Sequence, residues 1–206
     1  MIDIHTHSVQ SSQIPAIYNV RINEKDVCLP QAEQLFFSAG IHPWDIEGML
    51  TSWIENLEIM LKHERIVAVG ECGLDKNISV PLEKQLELLQ HHIQLSEQYQ
   101  LPLILHNVGF SHEIIRLKKL TTSSQAWIVH GFRGKSALAK QLLDAGFYLS
   151  FGEKFNAETV SITPIERLLV ETDESDLSIV EIYQTIADIK ACAKEDLNAY
   201  QTIFKF

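Results

Sequence analysis

Cysteine is scarce in this chain: Cys28, Cys72 and Cys192 are odd in number, far apart and without a CxxC pair. That excludes a disulfide framework and a zinc knuckle, and predicts ordinary thiols in a reducing compartment. Basic charge is short as well. Lys and Arg total 17 against 27 Asp and Glu, a formal charge of −10, so no overall basic footprint announces a nucleic-acid binder. No apolar run approaches the roughly 20 residues that span a bilayer. The opening Met-Ile-Asp-Ile-His-Thr-His-Ser lacks the basic and apolar regions of a signal peptide. These absences predict a soluble, cytoplasmic protein with no membrane partner. A GxSxG elbow, a P-loop and a GxGxxG turn are missing too, which removes support for serine hydrolysis and for nucleotide binding by those devices. Repeats, low-complexity tracts and Pro/Ser-rich linkers are absent, so residues 1–206 read as one domain with a sizeable core.

What the chain has is alternation. Short apolar runs recur at Ile2–Ile4, Ile14–Val20, Leu35–Ile41, Ile66–Val69, Leu101–Leu105, Trp127–Val129, Phe147–Phe151 and Leu168–Val170. Their length and polar or glycine flanks suit buried parallel strands. Helical spacing fills most gaps: Asp45–Lys62 repeats apolar residues at three- and four-residue steps, Pro81–Gln100 opens on proline, and Gly134–Ala145 stops at Gly146. Eight strands alternating with helices predict an α/β fold, a (β/α)₈ TIM-type barrel. The first quarter departs from it. Ser8–Gln13 is too short for a helical crossover and Asn23–Glu33 is hardly longer, so the barrel is expected to lack one or two outer helices there.

The ionisable residues fall at strand ends. His5 and His7 close the first strand two residues apart, on one side of it. Glu71, His106, His130 and Asp173 each follow an apolar run. Five strands thus deliver a His, Glu or Asp to the carboxyl end, where barrel active sites lie. One histidine at a strand end is most often a partnered surface residue, and one Asp or Glu a loop or cap residue. Five converging ends are a different matter. Four imidazoles and two carboxylates suit borderline divalent ions, and six ligands exceed one tetrahedral site, so two metals sharing a carboxylate are expected. Other candidates fit the bland reading: Cys72 as a core thiol, His91 and His92 solvated on a polar helix, His63 and His112 without patterned partners.

At these residues the chain resembles the TatD family of metal-dependent hydrolases, often described as deoxyribonucleases. The ordered matches are Ile-Asp-Ile-His-Thr-His (2–7), Gly-Ile-His-Pro-Trp (40–44), Val-Gly-Glu-Cys-Gly-Leu-Asp (69–75), Leu-Ile-Leu-His (103–106), His-Gly-Phe-Arg-Gly (130–134), Tyr-Leu-Ser-Phe-Gly (148–152) and Leu-Val-Glu-Thr-Asp (169–173). The resemblance implies His5, His7, Glu71 and Asp173 on a first metal, and Glu71, His106 and His130 on a second, with Glu71 bridging. The ions would be Zn, Mn, Mg or Co. It further implies catalysis by Glu71 and Asp173, the latter both ligand and general base, with a metal-bridged hydroxide as nucleophile.

The departures bear on substrate. Where the family usually has Ser-Arg after the fifth-strand histidine, this chain has Asn107, Val108 and Gly109; Lys76 replaces an aromatic; and Glu174-Ser175-Asp176 runs acidic after the last strand. Residues 101–154 nevertheless hold seven Lys/Arg against three Asp/Glu. Arg133 and Lys154 from this stretch, with His42, are the expected substrate-binding residues. The first reading is a phosphodiesterase acting on DNA 3′ or 5′ ends or another small phosphoester. Alternatives are an amide or ester hydrolase, such as an aminoacyl-tRNA deacylase, and a metal-binding scaffold without catalysis.

Overall fold

The apolar runs become eight parallel strands in one sheet, each beside its neighbour in chain order. They are β1 (Asp3–Thr6), β2 (Ala16–Arg21), β3 (Leu35–Gly40), β4 (Ile66–Asp75), β5 (Leu103–Val108), β6 (Trp127–Val129), β7 (Tyr148–Phe151) and β8 (Leu168–Val170). This is a computed structural model, describing residues 1–9, 14–23, 29–32, 34–49 and 51–206. The ring is drawn together where β8 returns to β1. Thr6 bridges Asp173, and the Asp173 N–H donates to the His5 carbonyl at 2.9 Å. Below that bridge, the buried Asp3 carboxylate accepts from the Thr172 N–H and hydroxyl. Burial pushes the Asp3 carboxyl up to about 7 against those hydrogen bonds. The result is a TIM-like barrel, nearly closed.

Among the described residues six α-helices wrap the outside: α1 (Thr51–Met60), α2 (Leu82–Tyr99), α3 (Ser111–Leu120), α4 (Ser136–Asp144), α5 (Ala157–Ile162) and α6 (Ile179–Lys190). Among the described residues no helix joins β1 to β2 or β2 to β3, as the short links predict. Residues 10–13, 24–28 and 33 within those links, Cys28 among them, lie outside the described residues. The expected helix Asp45–Lys62 is two pieces, a 3₁₀ turn over Pro43–Gly48 and then α1. Pro43, with its fixed φ, follows His42, whose side chain caps the turn by accepting from the Trp44 N–H.

Two apolar layers result. A larger one packs the helices on the outer faces of the strands, with Leu57, Leu89, Trp127 and Phe147 at most 1% exposed. Cys72 lies in this layer, as expected. A smaller one, including Ile4, Ile17, Ile104, Ile128 and Leu169, fills the barrel, and none of α1–α6 contributes to it. Ala199 and Phe204 of the C-terminal segment join it, and Tyr200 meets the N-terminal amine. The C-terminal segment therefore plugs the end where the strands begin, leaving the carboxyl end open for chemistry.

Candidate metal centre

β4 is the strand that builds the site. All ten of its residues are buried, and its pairing with β5 continues through Gly73↔His106 and Asp75↔Val108. Both strands thus run past the expected ends, so Glu71, Asp75 and His106 lie within strands. Gly73 explains how the two strands approach: at φ +144°, a Cβ there would sit 1.9 Å from the His106 carbonyl oxygen. Only glycine fits. Asp173 adopts a left-handed φ of +56°, a conformation aspartate tolerates better than most residues. That turn carries its carboxylate back toward β1.

Glu71, 5% exposed, stands at the centre with a separate set of residues on each oxygen. On the Oε2 side, His5 Nε2 lies at 3.5 Å and His7 Nε2 at 3.6 Å, and both also face Asp173 Oδ1, at 3.8 and 3.6 Å. On the Oε1 side are His106 Nδ1 at 3.0 Å, His130 Nε2 at 2.8 Å and His42 Nε2 at 3.1 Å. Asn19 of β2 braces the carboxylate, accepting from the Glu71 N–H at 2.8 Å and donating toward Oε2 at 3.4 Å.

Hydrogen-bond partners assign the imidazole tautomers. His42 Nδ1 accepts a backbone N–H, so neutral His42 carries its proton on Nε2 and donates to Glu71. His106 turns Nε2 to Asp75 Oδ2 at 3.0 Å, and His130 turns Nδ1 to Glu171 Oε1 at 3.4 Å. Each of these two rings therefore lies between two carboxylates that cannot donate, so a neutral imidazole satisfies one and turns a lone pair on the other. A lone pair facing a carboxylate oxygen is repelled by it, and a cation or a second proton relieves the contact. The proton's pull is visible in His130: burial opposes its charge, yet Glu71 and Glu171 raise its pKa well above the usual value. Burial likewise opposes the charge on Glu71, and the surrounding imidazoles outweigh it, holding its pKa well below the carboxylate range. His42, by contrast, is pushed down by burial. His5 is fully buried with neither ring nitrogen hydrogen-bonded among the described residues. Triads His5–His7–Glu71, His5–His130–Asp173 and His42–Glu71–His106 each bring ligand atoms within 4.8 Å of one another. Imidazole and carboxylate together suit borderline divalent metals, and this donor set fits them.

The profile of the family described as TatD related DNase matches residues 14–201. The chain belongs to the TatD family. A Bacillus subtilis relative, "uncharacterized metal-dependent hydrolase YabD", is 33% identical over 68% of this chain. The Escherichia coli K12 protein YcfH, described in the same words, is 32% identical over 73% of the chain. These matches span 58% and 59% of the relatives' own lengths. In structure, the chain is similar to the TatD homologue YjjV of E. coli K12, with a TM-score of 0.82 at 20% identity, covering 99% of this chain and 97% of that one. A TatD family hydrolase from Entamoeba histolytica gives 0.76 at 18% identity, covering 98% and 95%.

Within this TatD fold, the six residues expected as ligands, His5, His7, Glu71, His106, His130 and Asp173, converge on one cluster. His42, expected at the substrate, hydrogen-bonds Glu71 from 4% exposure and also lines a cavity at the site. Arg133 and Lys154 line a small cavity of about 150 Å³ with Asp173, and neither makes an ion pair among the described residues. Arg133 also lines a larger cavity of about 760 Å³, shared with His42, Trp44, Val108 and Leu138. The expectation for His92 fails as well. His92 is not solvated: it is fully buried, accepting the Ile41 N–H at 3.0 Å and facing the Leu88 carbonyl at 2.8 Å. Helix α2 turns this residue inward, where it anchors the segment leading to His42. Asn19, Asp75 and Glu171 escaped the sequence reading. Each interrupts or ends an apolar strand, and that interruption was the available signal.

Proposed function

We propose that this chain is a metal-dependent hydrolase that holds a divalent cation on each side of Glu71 and cleaves phosphodiesters, DNA ends before other substrates. The observation that carries the reading is the two-sided environment of Glu71, with His5, His7 and Asp173 on one oxygen and His106 and His130 on the other. Of Zn, Mn, Co and Mg, the four imidazoles favour the first three over Mg, which prefers oxygen ligands. Bound there, such cations lower the pKa of water toward neutrality and stabilise the negative charge that develops in attack. Asp173, with its side chain 23% exposed, reaches both the histidine cluster and the cavity, so it accepts the proton of the attacking water at Oδ1. Arg133, lining both cavities, and Lys154 hold the phosphate. Asn19 and His42 keep the Glu71 carboxylate in place. The DNA preference draws on the description of the family.

A second reading, ester or amide hydrolysis, draws on the larger cavity, whose lining includes Trp44, Val108, Phe132 and Leu138. An acyl or aminoacyl group would fit that wall. The deciding experiment measures metal-dependent nucleotide release from labelled single-stranded DNA against hydrolysis of an aminoacyl ester in the same buffer. Nucleotide release lost on chelation and restored by Mn²⁺ supports the proposal. Ester cleavage with no nucleotide release transfers it to the second reading.

A further inference from the structure

Asp75 lies four residues beyond Glu71 on the same strand and is 3% exposed. Its two oxygens meet three nitrogens. Oδ1 accepts the Asn77 N–H at 2.8 Å, while Oδ2 faces the Trp44 indole Nε1 at 2.8 Å and His106 Nε2 at 3.0 Å. An indole N–H only donates and a carboxylate only accepts, so the Asp75 contact calls for a proton on His106 Nε2; Glu71 would call equally for one on Nδ1, and a cation held at Nδ1 leaves Nε2–H as the single neutral tautomer. The Nδ1 lone pair then points at the Glu71 side of the site, 3.0 Å from Oε1. His130 faces the same oxygen with the opposite nitrogen, Nε2. The two imidazoles must therefore be held in opposite tautomers, and the local partner of each ring decides which.

We propose that Asp75 is a positioning residue for the metal centre: it fixes His106 in the Nε2–H tautomer so that Nδ1 serves as the ligand atom. The inference rests on the reading of the cluster as a metal site. It also explains why this position needs a carboxylate. An Asn side chain has a single acceptor oxygen and cannot serve Asn77, Trp44 and His106 together. Its NH₂ must face at least one of those donors. Turned toward His106, it favours the Nδ1–H tautomer and withdraws the lone pair. Loss of such outer carboxylate partners costs 10- to 100-fold in metal affinity.

The test uses the full chain loaded with Zn²⁺. Long-range ¹H–¹⁵N correlation on the wild type should show His106 protonated at Nε2 and bare at Nδ1. Asp75→Asn should lower Zn²⁺ affinity by 10- to 100-fold, while Trp44→Phe, which removes only the indole donor, leaves it within about 3-fold. In a His106→Ala background, Asp75→Asn should have no further effect on affinity, whereas a general structural role would persist there. A wild-type His106 protonated at Nδ1 overturns the inference even if the variant fails to fold. Unchanged affinity in folded Asp75→Asn overturns it as well. Failure of the wild type itself to bind Zn²⁺ is a different result, which removes the metal centre and the inference with it.

Discussion

Glu71 owes its setting to three kinds of neighbour. His42 and Asn19 donate to it, His106 and His130 each set a ring nitrogen within 3.0 Å of Oε1, and His5 and His7 stand slightly farther off on the second oxygen. Asp173→Asn removes both the proposed proton acceptor and a charge facing His5 and His7. Turnover is expected to fall about 100-fold or more with the fold retained, as measured by steady-state kinetics beside circular dichroism. His5→Ala is expected to abolish activity and reduce bound metal together. A wild-type rate in either variant contradicts these roles. The residues at strand ends were legible in the sequence because apolar runs frame them. Asn19, Asp75 and Glu171 were not, because a polar residue inside a strand declares its partner only once the neighbouring strands are in register.

At the scale of elements, β4 carries Glu71 and Asp75, and α2 braces the chain around them through His92 on the Ile41 N–H and Gln85 on the Asp75 main chain. Gly73→Ala would drive a Cβ into the His106 carbonyl at a φ that L-residues avoid. A loss of stability above about 2 kcal/mol is expected, read as a lower denaturant midpoint. His92 gives a pH signature. Burial lowers its pKa from 6.5 to about 4, so the unfolded chain binds the proton more readily. Stability from neutral His92 is complete above pH 6.5, is lost as pH falls from 6.5 toward 4, and levels off below that. The span is about 3 kcal/mol. In metal-free protein, His92→Gln should flatten that part of the stability–pH curve relative to wild type; an unchanged slope would show that His92 is not the group responsible. Periodicity revealed α2 itself, but not which of its two adjacent histidines turns inward. That depends on the Ile41 N–H lying opposite.

Across the whole molecule, the strand order and nearly closed ring follow from eight apolar runs and the lengths between them. The plug does not. Phe204 lies beyond the eighth apolar run, outside the strand–helix alternation, yet it is 4% exposed against Ile2, Ile4 and the other residues inside the barrel. Phe204→Ala should cost about 3–5 kcal/mol, seen as a lower unfolding midpoint. If DNA is the substrate, the −10 chain must receive it beside Arg133 and Lys154, where Glu153 and Glu174 also line the cavity. Few phosphate contacts are then available. Binding should weaken only shallowly with salt, and Arg133→Ala should flatten the slope further, because each lost contact removes counterion release. A steep slope unaffected by that change would place the nucleic acid elsewhere.

The central claim is that Glu71 separates two cation sites. Anomalous diffraction from crystals soaked in Mn²⁺ tests it most directly. Two peaks are predicted, one on the Oε2 side among His5, His7 and Asp173, the other on the Oε1 side between His106 and His130. A single peak, or peaks away from Glu71, would contradict the account.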